Sequence, residues 1–212
     1  MNENVATVFL VDDDESFLTS VARLFRASGM LVKPFSSAAD FLAQRPPEAA
    51  GCVVTDLQMP GMSGIELQEA LAKSKNPLPI VFLTGQGDIP TSVKAMRHGA
   101  EDFLTKRAPK EELIGAVRRA LERDARDRKQ REQQRELRAL FNQLSPRERE
   151  VLTHVLRGQL NKQTAADLGI DERSVKRHRT NLMRKLQVQS VAELAQLAFE
   201  AGWPPGGRGQ ST

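Results

Sequence analysis

A single carboxylate, Asp56, ends an apolar run and is followed at once by turn-forming residues, in the stretch CVVTDLQMPGMSG. An aspartate in this place can simply begin a turn. It can also be a nucleophile exposed at the carboxyl edge of a parallel sheet, where ligands bind in open α/β folds. The second interpretation requires further chemical groups at the same edge.

Polar side chains also follow the ends of the other apolar runs. The first run ends in VDDD and contributes Asp12 and Asp13, while the third acid of that motif is placed to cap the next helix. Carboxylates this close repel one another unless a cation shares them, and Mg²⁺ is the hard cation that accompanies phosphate chemistry. The fourth run ends with Thr84 and the fifth is followed by Lys106. Together with Asp56 as nucleophile, these groups predict a site for phosphoryl transfer.

The elements that must position these groups alternate in type along the first half of the chain. Short apolar runs are separated by stretches with helical periodicity, a pattern typical of βαβ units around a parallel sheet. We expect strands near residues 7–11, 31–35, 52–56, 79–84 and 102–105. The predicted fold of residues 1–122 is therefore an α/β domain with a doubly wound, five-stranded parallel sheet of the flavodoxin type.

The second half of the chain has a different pattern. In residues 123–141 basic and acidic side chains interleave without Gly or Pro, which predicts a solvated, charged linker helix that continues the fifth helix of the first domain. Residues 142–203 predict an all-α domain of four helices, the first beginning at the N-cap Ser145 with Glu148 as its capping-box partner. The Pro- and Gly-rich residues 204–212 are expected to be a disordered tail.

Charge and composition limit the classes of function. The formal net charge is +4 at pH 7, yet residues 1–109 carry 10 Lys and Arg against 13 Asp and Glu, whereas residues 145–212 carry 11 against 7. The basic second half suits a module that meets a polyanion. Cys52 is the sole cysteine, so it cannot form an intramolecular disulfide and is expected to be a small buried strand residue. The sequence shows neither a membrane span nor a signal peptide, which fits a cytoplasmic protein.

The helix expected at about 172–186 has two distinct faces. On a helical wheel Val175, Leu182 and Leu186 form an apolar stripe. Four cations and one hydroxyl share an exposed arc without an acid. They are Arg173, Lys176, Arg177, Thr180 and Arg184. Because a short helix and a Leu-Gly-Ile turn precede it, this helix predicts a helix-turn-helix reader of DNA.

The motifs VDDD, TDLQMPGMSG, FLTGQGD and DFLTK, in this order, resemble the receiver domain of two-component response regulators. The resemblance implies that a sensor histidine kinase phosphorylates Asp56, that Thr84 moves onto the phosphoryl oxygens, that Lys106 neutralises one of them, and that Phe103 turns inward on activation. It also implies a Mg²⁺ site. The ligands of that site would be Asp12, Asp13, Asp56 and the backbone carbonyl of Gln58.

The stretches LSPREREVL and RGQLNKQTAADLGIDERSVKRHRTNLMRKL resemble the LuxR/FixJ (NarL-like) helix-turn-helix effector domain. This implies that Lys176, Arg177 and Thr180 approach base edges of promoter DNA. The other DNA contacts implied are Arg173, Ser174, Arg179, Arg184, Asn161 and Lys162. The active form is expected to be a homodimer formed through the fourth helix, fifth strand and fifth helix, and RNA polymerase is a further candidate partner.

Two alternatives stay open at this stage. Receivers usually carry Pro directly after the Lys, but this chain has Arg107, and a non-Pro cis bond costs about 3 kcal/mol. The altered loop leaves room for a receiver that docks proteins and is never phosphorylated. Haloacid-dehalogenase-like phosphatases also use an Asp nucleophile with Mg²⁺, but they carry a second Asp two residues later, where this chain has Gln58. We therefore expect a regulator and not an enzyme.

Overall fold

The computed structural model describes residues 5–85 and 89–203. The chain divides into two compact units, Met1–Arg128 and Lys129–Thr212. The tail predicted for residues 204–212 lies outside the described residues. Across the two described ranges, no helix is long and apolar enough to cross a membrane.

The first unit contains the predicted parallel sheet, with the strand order β2-β1-β3-β4-β5. The strands are β1 (Thr7–Val11), β2 (Leu31–Phe35), β3 (Gly51–Asp56), β4 (Ile80–Thr84) and β5 (Asp102–Thr105). The helices are α1 (Glu15–Ala27), α2 (Ala38–Gln44), α3 (Gly64–Ala72), α4 (Ile89–Arg97) and α5 (Lys110–Asn142), the last of which continues past this unit. The doubly wound α/β fold is confirmed.

Both faces of the sheet are covered by apolar side chains, which explains why its central strands are continuous apolar runs. One core contains Phe9, Phe41 and Phe82, and the other contains Leu10, Phe25 and Cys52. Cys52 is fully buried, as predicted. The polar side chains of the central strands β3 and β4 lie at their carboxyl ends.

The loop after β3 is held tightly against the sheet. Ser63 caps α3 in a capping box with Glu66. The amide of Gly64, the first residue of α3, donates to the carbonyl of Leu57 over 3.0 Å. A Cβ on Gly64 would lie 2.4 Å from the backbone oxygen of Asp56, so only glycine allows this close approach. This packing fixes the backbone at Asp56 and Leu57.

One residue of the charged stretch departs from the solvated helix that was predicted. Asp124 of α5 is wholly buried. Its Oδ2 accepts from the backbone amide of Gly51 over 2.8 Å and from Nε of Arg128 over 2.9 Å. The acid turns inward because β3 begins at Gly51 with a donor that would otherwise be buried without a partner. Asp124 therefore ties α5 to the strand that carries Asp56.

Replacing Asp124 with alanine is expected to lower the free energy of unfolding of the first unit by about 2–3 kcal/mol, because the Gly51 amide loses its acceptor. Faster hydrogen exchange in the β3 peptides of the full chain would measure this. The matched control is Asp127→Ala on the same helix, whose side chain is 45% exposed. That variant should change stability by less than about 0.5 kcal/mol, and equal effects would contradict the prediction.

The second unit contains the four predicted helices. They are α6 (Pro146–Leu156), α7 (Asn161–Leu168), α8 (Glu172–Lys185) and α9 (Val191–Glu200). Ser145 and Glu148 form the predicted capping box at the start of α6. Val151, Leu152, Val175 and Leu182 are buried in one core. Phe141 stacks on Trp203 at the edge of that core, with ring centroids 5.3 Å apart.

Candidate acidic site and candidate nucleic-acid interface

Three carboxylates meet at the carboxyl edge of the sheet. Strands β1 and β3 are parallel neighbours in a register that pairs Val11 with Thr55, so the residues that follow them, Asp12 and Asp56, lie side by side. One carboxylate oxygen from each of Asp12, Asp13 and Asp56 lies within 4.8 Å of the others. Asp12 and Asp56 are buried and Asp13 is exposed. The arrangement offers hard oxygen donors that are open to solvent on the side of Asp13.

Lys106 bridges the two buried acids. Its Nζ lies 2.6 Å from Oδ2 of Asp12 and 2.7 Å from Oδ2 of Asp56. The other oxygen of Asp56 accepts from the backbone amides of Leu57 and Gln58, over 2.5 and 3.3 Å. These donors hold the Asp56 carboxylate in one orientation at the end of β3.

Burial and the ion pairs act in opposite directions at this site. Burial raises the pKa of Asp12 above its ordinary value, although the bond from Lys106 partly opposes this. Burial alone would lower the pKa of Lys106, but the bonds to Asp12 and Asp56 outweigh it, and the pKa is raised. Lys106 is therefore a cation at neutral pH.

Thr84 and Phe103, the two predicted switch residues, lie on β4 and β5. Thr84 is the last residue of β4 and is buried, and its backbone oxygen accepts from the amide of Lys106 over 2.8 Å. Phe103 is partly buried, with its ring centroid 5.9 Å from that of Phe82. The β5–α5 loop, whose geometry the sequence left open at Arg107, closes in a turn in which the Ala108 amide donates to the Thr105 carbonyl over 2.9 Å.

Sequence reasoning did not indicate a role for Phe17 at this site. In the structure its ring lies under the Lys106 ammonium, with Nζ 4.4 Å from the ring centroid. No spacing along the chain indicates this contact, because it depends on the course of the β5–α5 loop.

The candidate nucleic-acid interface is built around α8. Helix α7 is followed by its C-cap Gly169, which adopts the left-handed conformation at φ 63°, and α8 is preceded by its N-cap Asp171. The predicted apolar stripe is buried. The five side chains of the predicted arc, Arg173, Lys176, Arg177, Thr180 and Arg184, are all exposed. The helix therefore presents a basic surface to solvent.

Several side chains of this interface already have partners. Glu172 adjoins the arc one turn before Lys176 and forms an ion pair with it over 3.1 Å, although no acid was expected within the arc. The hydroxyl of Ser174 donates to Asp171 over 2.7 Å as part of the helix cap. Arg179 and Arg184 donate to Asn161 and Asn181, each over 3.2 Å, and Lys162 is exposed.

A partly buried ion pair sets the position of the C-terminal end of α8. Nζ of Lys185 lies 2.7 Å from Oε2 of the buried Glu148, which also accepts from the Ser145 amide over 2.8 Å. Nζ of Lys185 further donates to the backbone oxygen of Gln143 over 3.2 Å. The sequence predicted Glu148 only as a capping residue, so its link to α8 was missed.

Replacing Glu148 with glutamine is expected to destabilise the second unit by about 1–2 kcal/mol, because the Lys185 ammonium loses its counterion. Burial by itself would raise the pKa of Glu148, but the bonds from Lys185 and Ser145 outweigh it and hold the pKa below 4.5. The contribution of the ion pair is therefore present above pH 4.5 and is lost as the pH falls through the lower folded value.

Unfolding of the full chain in urea, followed by Trp203 fluorescence at neutral and acidic pH, measures this effect. The difference in free energy of unfolding between wild type and Glu148→Gln should become smaller as the pH falls. Glu150→Ala on the same helix is the control, since Glu150 forms only an exposed pair with Arg147. If this difference in free energy of unfolding did not depend on pH, Glu148 would act through packing and not through its charge.

Comparisons with known proteins cover both units. Residues 8–118 match the family model described as the response regulator receiver domain, and residues 142–198 match that described as bacterial regulatory proteins of the luxR family. The response regulator protein TmoT of Ectopseudomonas mendocina is 44% identical over 197 residues, which are 93% of this chain and 90% of TmoT. The transcriptional regulatory protein FixJ of Rhizobium meliloti is 40% identical over 199 residues, which are 94% of this chain and 98% of FixJ.

A solved structure of the response regulator StyR is also similar to this chain. It is 47% identical, with a TM-score of 0.80, and the match covers 92% of this chain and 99% of StyR.

Proposed function

We propose that this chain, which belongs to the two-component response regulators that join a receiver domain to a LuxR-type DNA-binding domain, is activated by phosphorylation of Asp56. Membership in this family makes the chain a DNA-binding transcription regulator and not an enzyme. The receiver domain implies a histidine kinase as partner. In this proposal Asp56 receives the phosphate, and Thr84 and Phe103 transmit the signal.

The observation that carries the proposal is the convergence of Asp12, Asp13, Asp56 and Lys106 at one edge of the sheet. A carboxylate oxygen of Asp56 attacks the phosphorus of the phosphohistidine of the kinase. The new O–P bond forms as the P–N bond breaks, and the imidazole leaves. Lys106 is already bonded to Asp56 and is close enough to neutralise an oxygen of the transferred phosphoryl group.

The donor set fits Mg²⁺, because its members are hard oxygen ligands close together. Asp12, Asp13, Asp56 and the backbone carbonyl of Gln58 would hold the ion. When bound, it would neutralise negative charge on the acids and on the phosphoryl oxygens.

The signal is proposed to pass through Thr84 and Phe103. The Thr84 hydroxyl would move onto a phosphoryl oxygen, and the vacated space would admit the Phe103 ring, which is only partly buried in this structure. This is a local electrostatic change that selects between two packings of the receiver.

The altered face would form the homodimer through α4, β5 and α5. Val93 and Met96 of α4 are exposed apolar side chains on this face. Arg119 of α5 lies 2.6 Å from Asp102 of β5, so these elements also carry an ion pair. Exposed apolar side chains together with charged groups suit an interface between two copies.

The dimer would place two α8 helices at two half-sites of promoter DNA in the cytoplasm. Lys176, Arg177 and Thr180 would reach base edges, where a basic side chain can pair with guanine. The side chains proposed to contact phosphates are Arg173, Ser174, Arg179, Arg184, Asn161 and Lys162. RNA polymerase is a candidate contact of the DNA-bound dimer.

Treatment of the full chain with phosphoramidate and Mg²⁺ tests the proposal. Mass spectrometry after borohydride reduction should locate the phosphate on Asp56, and light scattering should show a shift from monomer to dimer. Affinity for promoter DNA should rise about tenfold or more, since both half-sites are then bound together. Absence of phosphate on Asp56, with no change in dimerisation or DNA affinity, would instead favour a receiver that docks proteins and is never phosphorylated.

A further inference from the structure

We infer that Phe17 is a positioning residue for Lys106 and holds its ammonium between Asp12 and Asp56 through a cation–π contact. The inference deepens the proposed phosphoryl function and rests on it. Nζ of Lys106 lies 4.4 Å from the centroid of the Phe17 ring, well within the range of such contacts.

The Phe17 ring and two carboxylates together enclose most of the Lys106 ammonium. An ammonium has three N–H donors, and here it lies 2.6 Å from a carboxylate oxygen of Asp12 and 2.7 Å from one of Asp56. The negative face of the Phe17 ring covers a further side. Only 19% of the Lys106 side chain is exposed, so the ring occupies space that water would otherwise fill.

The position of Phe17 is linked through Asp14 to Asp12, one of the two acids that hold the ammonium. Asp12 accepts from the backbone amide of Asp14 over 3.0 Å. Asp14 in turn caps α1 and accepts from the amide of Phe17 over 3.0 Å. The Phe17 side chain also packs against the core on its side of the sheet. A closed circuit of contacts therefore runs from Asp12 through Asp14, Phe17 and Lys106 back to Asp12.

This circuit has a consequence for phosphoryl transfer. A lysine side chain has four rotatable bonds, and an ammonium without one of its partners is readily hydrated and drawn towards solvent. The ring resists this displacement, so the ammonium is in place when the phosphoryl group arrives. The Phe17 side chain has no hydrogen-bonding group, so its proposed influence on phosphoryl transfer passes through Lys106.

A purely structural role for Phe17 predicts a different result. If the side chain only fills space at the edge of the core, leucine should serve as well as phenylalanine, and the charge distribution of the ring should not matter. If the ring acts on the ammonium, activity should follow the electrostatic character of its face.

The rate of phosphate uptake from phosphoramidate with Mg²⁺ separates the two roles. We expect Phe17→Leu to lower the rate roughly threefold to tenfold and Phe17→Tyr to stay within about twofold of wild type. Phenylalanines with increasing numbers of fluorine atoms at position 17 keep the ring shape and should lower the rate stepwise. Leu24→Ala, a change at another partly buried apolar position of α1, is the control and should leave the rate unchanged.

A second measurement does not depend on phosphorylation. In the NMR spectrum of the untreated protein, the ε-methylene protons of Lys106 should be shifted upfield by the ring current of Phe17. The shift should disappear in Phe17→Leu and remain in Phe17→Tyr.

The outcomes distinguish this inference from the proposed function. Equal rates in wild type, Phe17→Leu and the fluorinated proteins, or an unshifted Lys106 signal in wild type, would overturn the role of Phe17. Failure of the wild-type protein to take up phosphate would contradict the proposed function alone, and the Lys106 signal would then decide for or against the contact.

Discussion

Replacing Asp56 with asparagine is expected to abolish phosphate uptake, lowering the rate from phosphoramidate by roughly a thousandfold or more. The neutral amide offers no nucleophilic oxygen in place of the carboxylate. The fold should remain, because the asparagine oxygen can still accept from the amides of Leu57 and Gln58, and Lys106 keeps its ion pair with Asp12. Loss of one of three neighbouring negative charges also removes repulsion.

The matched control for Asp56→Asn is Asp13→Asn. It removes the same charge from the same group of acids but leaves the nucleophile in place. We expect about a tenfold to hundredfold slower uptake, and part of that loss should be recovered at high Mg²⁺ concentration. If Asp56 accepts the phosphate and Asp13 only binds Mg²⁺, Asp56→Asn should take up no phosphate at any Mg²⁺ concentration. Asp13→Asn should recover part of its uptake at high Mg²⁺ concentration. If Asp56→Asn took up phosphate at the wild-type rate, the phosphate would be bound to another residue.

The grouping of the acids could be predicted from the sequence because it follows from a simple rule of parallel sheets. The carboxyl ends of parallel strands lie at one edge of the sheet, so acids at the ends of β1 and β3 share that edge even though they are far apart in the chain. The register that pairs Val11 with Thr55 then brings Asp12 beside Asp56. The burial of Val175, Leu182 and Leu186 follows similarly from helical periodicity.

The buried charges could not be predicted in this way. Asp124 looks like any other acid of a charged helix, and its partner Gly51 is 73 residues away. The capping rule accounts for Glu148 locally. Its second bond, to Lys185 37 residues later, is not indicated by any pattern in the sequence. Local patterns report the face on which a side chain lies, whereas these contacts depend on how distant elements pack.

The β5–α5 loop shows the same limit at the site itself. The end of the fifth apolar run identified Lys106, but the consequences of Arg107 for the loop stayed open. The structure shows the turn from Thr105 to Ala108 and the ammonium between two acids and the Phe17 ring. The identity of the residues was readable from the sequence, while the contact that positions the lysine was not.

Removing the basic side chains Arg173, Lys176 and Arg177 together is expected to lower affinity for promoter DNA by roughly a hundredfold to a thousandfold. The three cations are exposed on one face of α8, and Lys176 is only partly neutralised by the exposed Glu172. Fluorescence anisotropy over a range of salt concentrations should also show a shallower dependence of the binding constant on salt. The slope should fall by about one for each DNA phosphate that the variant no longer neutralises.

A charge-matched control decides whether this loss reflects recognition or only net charge. Changing the exposed Arg23, Lys73 and Lys75 of the receiver to alanine removes the same three charges without touching α8 or the elements of the proposed dimer face. If α8 reads the DNA, the receiver variant should bind within about threefold of wild type and still discriminate promoter from unrelated DNA. Equal losses in the two variants would mean that the basic half attracts DNA only as a diffuse charge. The α8 variant keeps Lys185 and its ion pair with Glu148, so it should unfold like wild type. A loss of DNA binding then cannot be ascribed to a loss of fold.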